Sequence, residues 1–203
     1  PEFLVRDRTS LGAGFYTNYQ EDGYLPINAQ LAINDFWEVG AKLLFDSEDD
    51  MESVQSYVDV GAKYRIMEYS TIGADFLIGI GNKRGAGLVF SYTSLHPMSR
   101  IFSTLYEARL GFFDRIVSDG GLAEFALGVT PQFKFTPALI AMIGIESSGS
   151  LGNILDDFMV DIVPRVQIGI LPYFHVMTEL SIGIMQEKNN DRMRIGAYGI
   201  IEF

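Results

Sequence analysis

Leu25-Pro26-Ile27-Asn28-Ala29-Gln30-Leu31-Ala32-Ile33-Asn34 sets Leu25, Ile27, Ala29, Leu31 and Ile33 against Pro26, Asn28, Gln30, Ala32 and Asn34. Side chains on a β-strand point alternately to its two faces, so this period of two gives the segment one apolar and one polar face. Beyond Asn34-Asp35 the alternation resumes, with Trp37, Val39, Ala41, Leu43 and Phe45 on one side and Glu38, Gly40 and Lys42 on the other. Two such runs separated by a short polar break predict an antiparallel hairpin.

The pattern recurs in both directions from this hairpin. Upstream, a strand near Leu11–Gln20 turns Ala13, Phe15 and Tyr19 to one face. Downstream, apolar sets begin at Val58, Ile72, Leu88, Tyr106, Ala123, Leu139, Val160, Phe174 and Met193, which brings the expected total to about twelve strands. The opposite faces carry small and charged residues, among them Asp59, Gly61, Lys63, Gly73, Asp75, Glu107, Arg109, Glu124, Asp161, Arg165, Glu179 and Arg194.

Alternation fits a soluble sandwich as well as a membrane barrel. Three features favour the barrel. The runs are about ten residues long, which at a 45° tilt spans the roughly 25 Å apolar band of an outer-membrane barrel, whereas sandwich strands are commonly about five or six residues. Connections alternate in size: Asn34-Asp35, Met67–Ser70, Thr136-Pro137 and Leu171–Tyr173 are brief, while Asp46–Ser53, Asp114–Gly120, Ser147–Asp157 and Glu187–Asp191 are longer and polar. The short Glu21-Asp22-Gly23 and Asn82–Gly85 connections fall in the same register as the long ones. Aromatics cluster near strand ends (Tyr19, Trp37, Phe45, Tyr64, Phe112, Phe133, Phe135, Phe158, Tyr173 and Phe174), where a membrane interface favours them.

Composition narrows the rest. The 203 residues suit one domain, 1–203, with 1–9 expected as an N-terminal periplasmic segment; Pro1 in place of Met suggests a processed chain. No apolar run reaches the roughly 18 to 20 residues of a membrane helix. A net charge of −11 argues against a nucleic-acid partner, since phosphate binding relies on clustered Lys and Arg. The absence of cysteine removes disulfides, thiolate metal sites and a cysteine nucleophile. The expectation is an all-β, transmembrane, antiparallel up-and-down barrel.

The last run, Arg194-Ile195-Gly196-Ala197-Tyr198-Gly199-Ile200-Ile201-Glu202-Phe203, resembles the C-terminal insertion signal of Gram-negative outer-membrane proteins, which ends in phenylalanine. The resemblance implies that Tyr198, Ile201 and Phe203 are read by the barrel-assembly machinery. It also implies residence in the bacterial outer membrane, with the C-terminus at the periplasmic rim and lipid and lipopolysaccharide as surroundings.

Charged side chains cannot face lipid cheaply, costing about 2–4 kcal/mol for Lys or Arg at mid-depth, so the charged faces should line a lumen. Lys42, Lys63, Asp75, Glu107, Arg109, Glu124, Asp161, Arg165, Glu179 and Arg194 are the candidate selectivity residues, with Glu124 expected beside Glu107 and Arg109, and Glu179 beside Arg165. Inward glycines such as Gly40, Gly61, Gly73, Gly111, Gly144 and Gly196 are expected to leave open space; Leu77, Leu105, Ile140, Met142, Val163 and Met177 should narrow it. The expected activity is a narrow channel for small polar solutes or ions, with a closed structural or surface-interaction barrel as the alternative.

No catalytic set, cofactor or metal is called for. His96 is expected in a periplasmic turn beside Pro97. His175 faces inward with Glu179 four residues on, but without a serine at a suitable spacing. The acidic run Asp46–Glu52 lacks the glycine and spacing of a calcium loop and reads as a solvated external loop. Gly79–Gly85 has the glycines of a hairpin turn rather than of a phosphate cradle, because no helix follows.

Overall fold

The computed structural model describes residues 9–18, 23–47, 54–80, 85–114, 123–152, 158–185 and 193–203. They form twelve strands: β1 (Thr9–Asn18), β2 (Gly23–Ala32), β3 (Trp37–Ser47), β4 (Val54–Met67), β5 (Ser70–Ile80), β6 (Ala86–Pro97), β7 (Phe102–Phe113), β8 (Ala123–Thr136), β9 (Leu139–Ser150), β10 (Met159–Leu171), β11 (Phe174–Met185) and β12 (Met193–Glu202). Each strand pairs antiparallel with its sequence neighbours, and β1 pairs with β12, so the sheet closes on itself. Closure removes every strand edge, which is what lets a sheet sit where no water can satisfy its backbone. Trp37–Phe45 and Leu25–Ile33 pair as the sequence predicts, with Ala29 opposite Ala41 and Leu31 opposite Val39.

Residue positions across the ladder fix the tilt. A row of Cα partners runs from Gly12 through Asn28, Lys42, Asp59, Leu77 and Gly87 to Phe113. It starts near the turn end of β1 and finishes on the last residue of β7. A perpendicular row that climbs a whole strand length within half the barrel requires steeply inclined strands, as barrel closure demands.

Outward positions are apolar and uncovered. Phe15, Leu31, Val60, Phe76, Phe90, Leu127, Ile145, Ile168, Ile184 and Ile195 are all exposed large hydrophobic side chains at alternate positions around the ring. A closed barrel with such an outer face is a membrane-embedded barrel. Aromatic pairs mark the rims: Trp37 with Tyr64 and Phe102 with Phe133, each at 4.9 Å between centroids at the short-turn end, and Phe125 with Phe158 at 6.4 Å at the other.

Three prolines sit inside strands, and each interrupts one ladder. Pairing between β1 and β2 skips Pro26, that between β8 and β9 skips Pro131, and that between β10 and β11 skips Pro164. A proline nitrogen has no hydrogen to donate, so the neighbouring strand loses a bond there.

The closing seam is built from tyrosines laid over glycines. A β-carbon on Gly14 of β1 would run into the Tyr198 ring of β12, and one on Gly196 of β12 would run into the Tyr16 ring of β1. The Tyr198 hydroxyl also donates to the Asn28 side chain, tying β12 across β1 to β2. Aromatic cover of strand glycines is a known way to pin register. Gly14→Val is therefore expected to lower stability by about 1–3 kcal/mol through overpacking, read as earlier conversion of the folded to the unfolded gel band on heating in detergent.

Local differences from the sequence expectation have simple causes. Ser147–Ser150, expected to open a loop, continue β9 opposite Glu124–Leu127 of β8; polar and small residues hide the alternation there. Glu124 pairs with Gly111, not with Glu107, whose partner is Gly128. His96 lies in β6 rather than a turn: its Nε2 is 3.0 Å from Ser94 Oγ, which is 2.8 Å from Ser70 Oγ, and its ring stands edge-on to Tyr106. Residues 1–8 of the expected periplasmic segment, Tyr19, 48–52 of the acidic run, Ser53, Asn82–Arg84 and Glu187–Asp191 lie outside the described residues, and Thr9 is the first residue of β1.

Candidate functional site

The inward faces meet in a lumen with two unlike walls. On one, β10 carries Arg165 midway along its length, flanked by Glu146 of β9 and Glu179 of β11. Arg165 Nε donates to Glu179 Oε2 at 2.9 Å, and its Nη2 donates to Glu146 Oε1. The guanidinium bridges three strands, and its side chain is only 17% exposed. Close by, Val163 and Thr130 are each 1% exposed, and Met142 and Gln167 are buried. This wall is packed around Arg165, while the Glu146 side chain stays 39% exposed.

Across the barrel, β3, β4, β5 and β7 present Lys42, Asp59, Lys63, Asp75, Glu107 and Arg109. Arg109 sits in the same register row as Ser91, Gly73, Lys63 and Glu38. Only Ser91 and Gly73 stand between Arg109 and Lys63 in this row, with Glu38 beyond Lys63. Arg109 reaches Glu107 only at 3.5 Å, and its side chain is 57% exposed although it points into the barrel. Lys42 is likewise exposed, within electrostatic range of Asp59, Asp75 and Arg109. Lys63 pairs with Glu38 at 3.6 Å. One oxygen of Asp59 is buried without a hydrogen-bond partner. Arg109 and Lys42 are thus accessible on the β3–β7 side, whereas Val163 and Thr130 are fully covered on the β8–β11 side.

Seven of the expected lumen residues thus lie well inside the barrel: Lys42, Lys63, Asp75, Glu107, Arg109, Arg165 and Glu179. Glu124, Asp161 and Arg194 sit within the first three residues of β8, β10 and β12, at the rim opposite the short turns. There Asp161 accepts from Ser181 Oγ at 3.3 Å, and Arg194 pairs in register with Ser181 and Asn18. Not all the glycines leave space: the Asp75 carboxylate lies over Gly61, and the Phe113 ring covers Gly111. The sequence reading missed Glu146, which ends the run Ile143, Ile145 on the opposite parity and is inward for that reason. It also missed Tyr16. Tyr198 faces the lumen, whereas Ile201 and Phe203 face outward and are exposed. His175 pairs in register with Gly169 and Ile200, while the Glu179 carboxylate is held by Arg165.

Among the described residues no group of three or more His, Cys, Asp or Glu is arranged to hold a metal ion. No protein-family model matches the chain, and no curated protein matches it in sequence. Solved structures do match. The KdgM porin in complex with disordered oligogalacturonate superposes with a TM-score of 0.72 over 96% of this chain and 99% of that one, at 10% sequence identity. The NanC porin gives 0.62 over 95% and 98% at 7% identity, and the CymD monoaromatic hydrocarbon channel 0.53 over 98% and 88% at 9%. At such identities the likeness is one of fold: this chain shares the closed barrel of outer-membrane porins.

Proposed function

We propose that the barrel is a bacterial outer-membrane channel that passes small polar solutes or ions along its β3–β7 wall. The observation that carries this reading is Arg109, a cation halfway along β7 that points inward and is still 57% exposed. A buried, unpaired charge would be expelled or neutralised, so this exposure needs water in the lumen. Selectivity in such a pore follows from the charged side chains that line it. The porin and channel neighbours lend support at the level of architecture. In this reading Tyr198, Ile201 and Phe203 belong to the strand that the assembly machinery recognises, and lipopolysaccharide surrounds the rim opposite the short turns.

A second reading, a closed barrel with a structural or surface-interaction role, draws on the packed half of the lumen around Arg165, Val163 and Thr130. Planar-bilayer recording separates the two. Purified wild-type protein is expected to give discrete current steps, and Arg109→Trp, which adds bulk on the open side, to reduce the step size several-fold. Silence from wild-type protein that runs as a folded band would support the closed barrel instead.

A further inference from the structure

The open wall interleaves three cations, Lys42, Lys63 and Arg109, with four carboxylates, Glu38, Asp59, Asp75 and Glu107. Their arrangement differs from that of the opposite wall. Arg165 is saturated by two carboxylates, so its charge is consumed within the protein. On the open wall Lys63 pairs with Glu38 at 3.6 Å and Arg109 with Glu107 at 3.5 Å, and among the described residues Lys42, Asp59 and Asp75 stand outside those pairs. Lys42 and Asp75 form no direct ion pair among the described residues, Asp59 keeps an oxygen without a partner, and Arg109 touches Glu107 only at the limit of contact. Lys42, Arg109, Asp59 and Asp75 nevertheless all lie within electrostatic range of one another. The Asp75 carboxylate lies over Gly61, and the Ser91 hydroxyl and the Lys63 stem lie over Gly73.

A solute passing this wall therefore meets both signs of charge close together at one depth. A lone anion is drawn to Lys42 and Arg109 but repelled by Asp59 and Asp75; a lone cation meets the converse. A solute with both an ammonium-type and a carboxylate group can set each against its opposite, replacing lost hydration at both ends. The saturated wall adds one excess carboxylate and no spare cation, so nothing there favours a polyanion.

We propose that the lumen selects small zwitterions, of the free amino-acid or betaine class, over solutes of a single charge sign. This proposal rests on the channel reading above and specifies its substrate class.

The test uses the full chain, purified and reconstituted. Liposome swelling with serine, glycerol and lactate compares a zwitterion, a neutral polyol and an anion of similar size, and the reversal potential in a potassium chloride gradient reports the preference between ions. Serine is expected to enter about tenfold faster than lactate, with a reversal potential near zero. Arg109→Glu leaves two cations against five carboxylates, and it is expected to make the channel cation-selective and to abolish the advantage of serine over glycerol. Lys42→Glu, on another strand, is expected to do the same, so a folding defect in one variant does not decide the matter. Faster entry of lactate or of an acidic oligosaccharide, or a strongly anion-selective reversal potential, would overturn the proposal while leaving the channel intact. Absence of current and of all swelling would overturn both.

Discussion

Arg165→Met is expected to destabilise the barrel by up to about 3 kcal/mol, the lower end of the cost of removing one partner from a buried charge network, because the Glu146 side chain is 39% exposed. Arg165 is the only described cation in contact with Glu146 and Glu179, which approach it from the strands on either side of β10. Without it, two carboxylates face each other across a packed wall beside Val163 and Thr130. Methionine fills much of the volume but offers no donor. The urea midpoint of the folded protein in lipid vesicles should fall accordingly. Adding Glu146→Gln and Glu179→Gln to Arg165→Met should recover most of the loss, because the uncompensated charges are then gone. Arg109→Met provides the contrast: more than half exposed, with one long contact, it should cost no more than about 1 kcal/mol. Equal losses at the two arginines would contradict the division of the lumen into a packed and an open wall.

Ile145→Arg should cost about 2–4 kcal/mol and impair membrane insertion, since it puts a cation on the lipid face near the middle of β9. Ile145 is 54% exposed, and its immediate neighbour Glu146 turns inward to Arg165. Adjacent residues therefore have opposite tolerances: Glu146→Gln, one position along, should insert normally. Insertion into vesicles, scored by the fraction converted to the folded gel band, checks both. If arginine at 145 were as harmless as glutamine at 146, the outward face would not be meeting acyl chains.

Strand number, strand direction and the face of most side chains were legible in the sequence because all three follow from a period of two and the residues that interrupt it. Leu25–Ile33 against Trp37–Phe45 is the clearest case, since the two runs form the hairpin that the alternation implies. Height within the barrel was not legible. It depends on how far each strand is displaced along its neighbour, which is set by hydrogen bonding around the whole ring. Glu124 illustrates this: it shares an inward face with Glu107 and Arg109 but pairs with Gly111, near the far rim. Glu146 was obscured for another reason, because the serines and glycine after it end the apolar alternation while the ladder continues. Glycine space was likewise undecidable from sequence. Whether Gly61 or Gly196 opens the lumen or receives Asp75 or Tyr16 depends on the neighbouring strand's side chain.

Trp37 is the sole tryptophan, and it stands at the start of β3 beside the Asn34 turn, 46% exposed and packed against Tyr64. Its emission during assembly therefore reports when one rim reaches the bilayer interface and carries no direct signal from the β1–β12 seam, where the ring is completed. If zipping of that seam is the slow step, fluorescence will reach its plateau before gel mobility does, and the lag between them will time the final stage of folding.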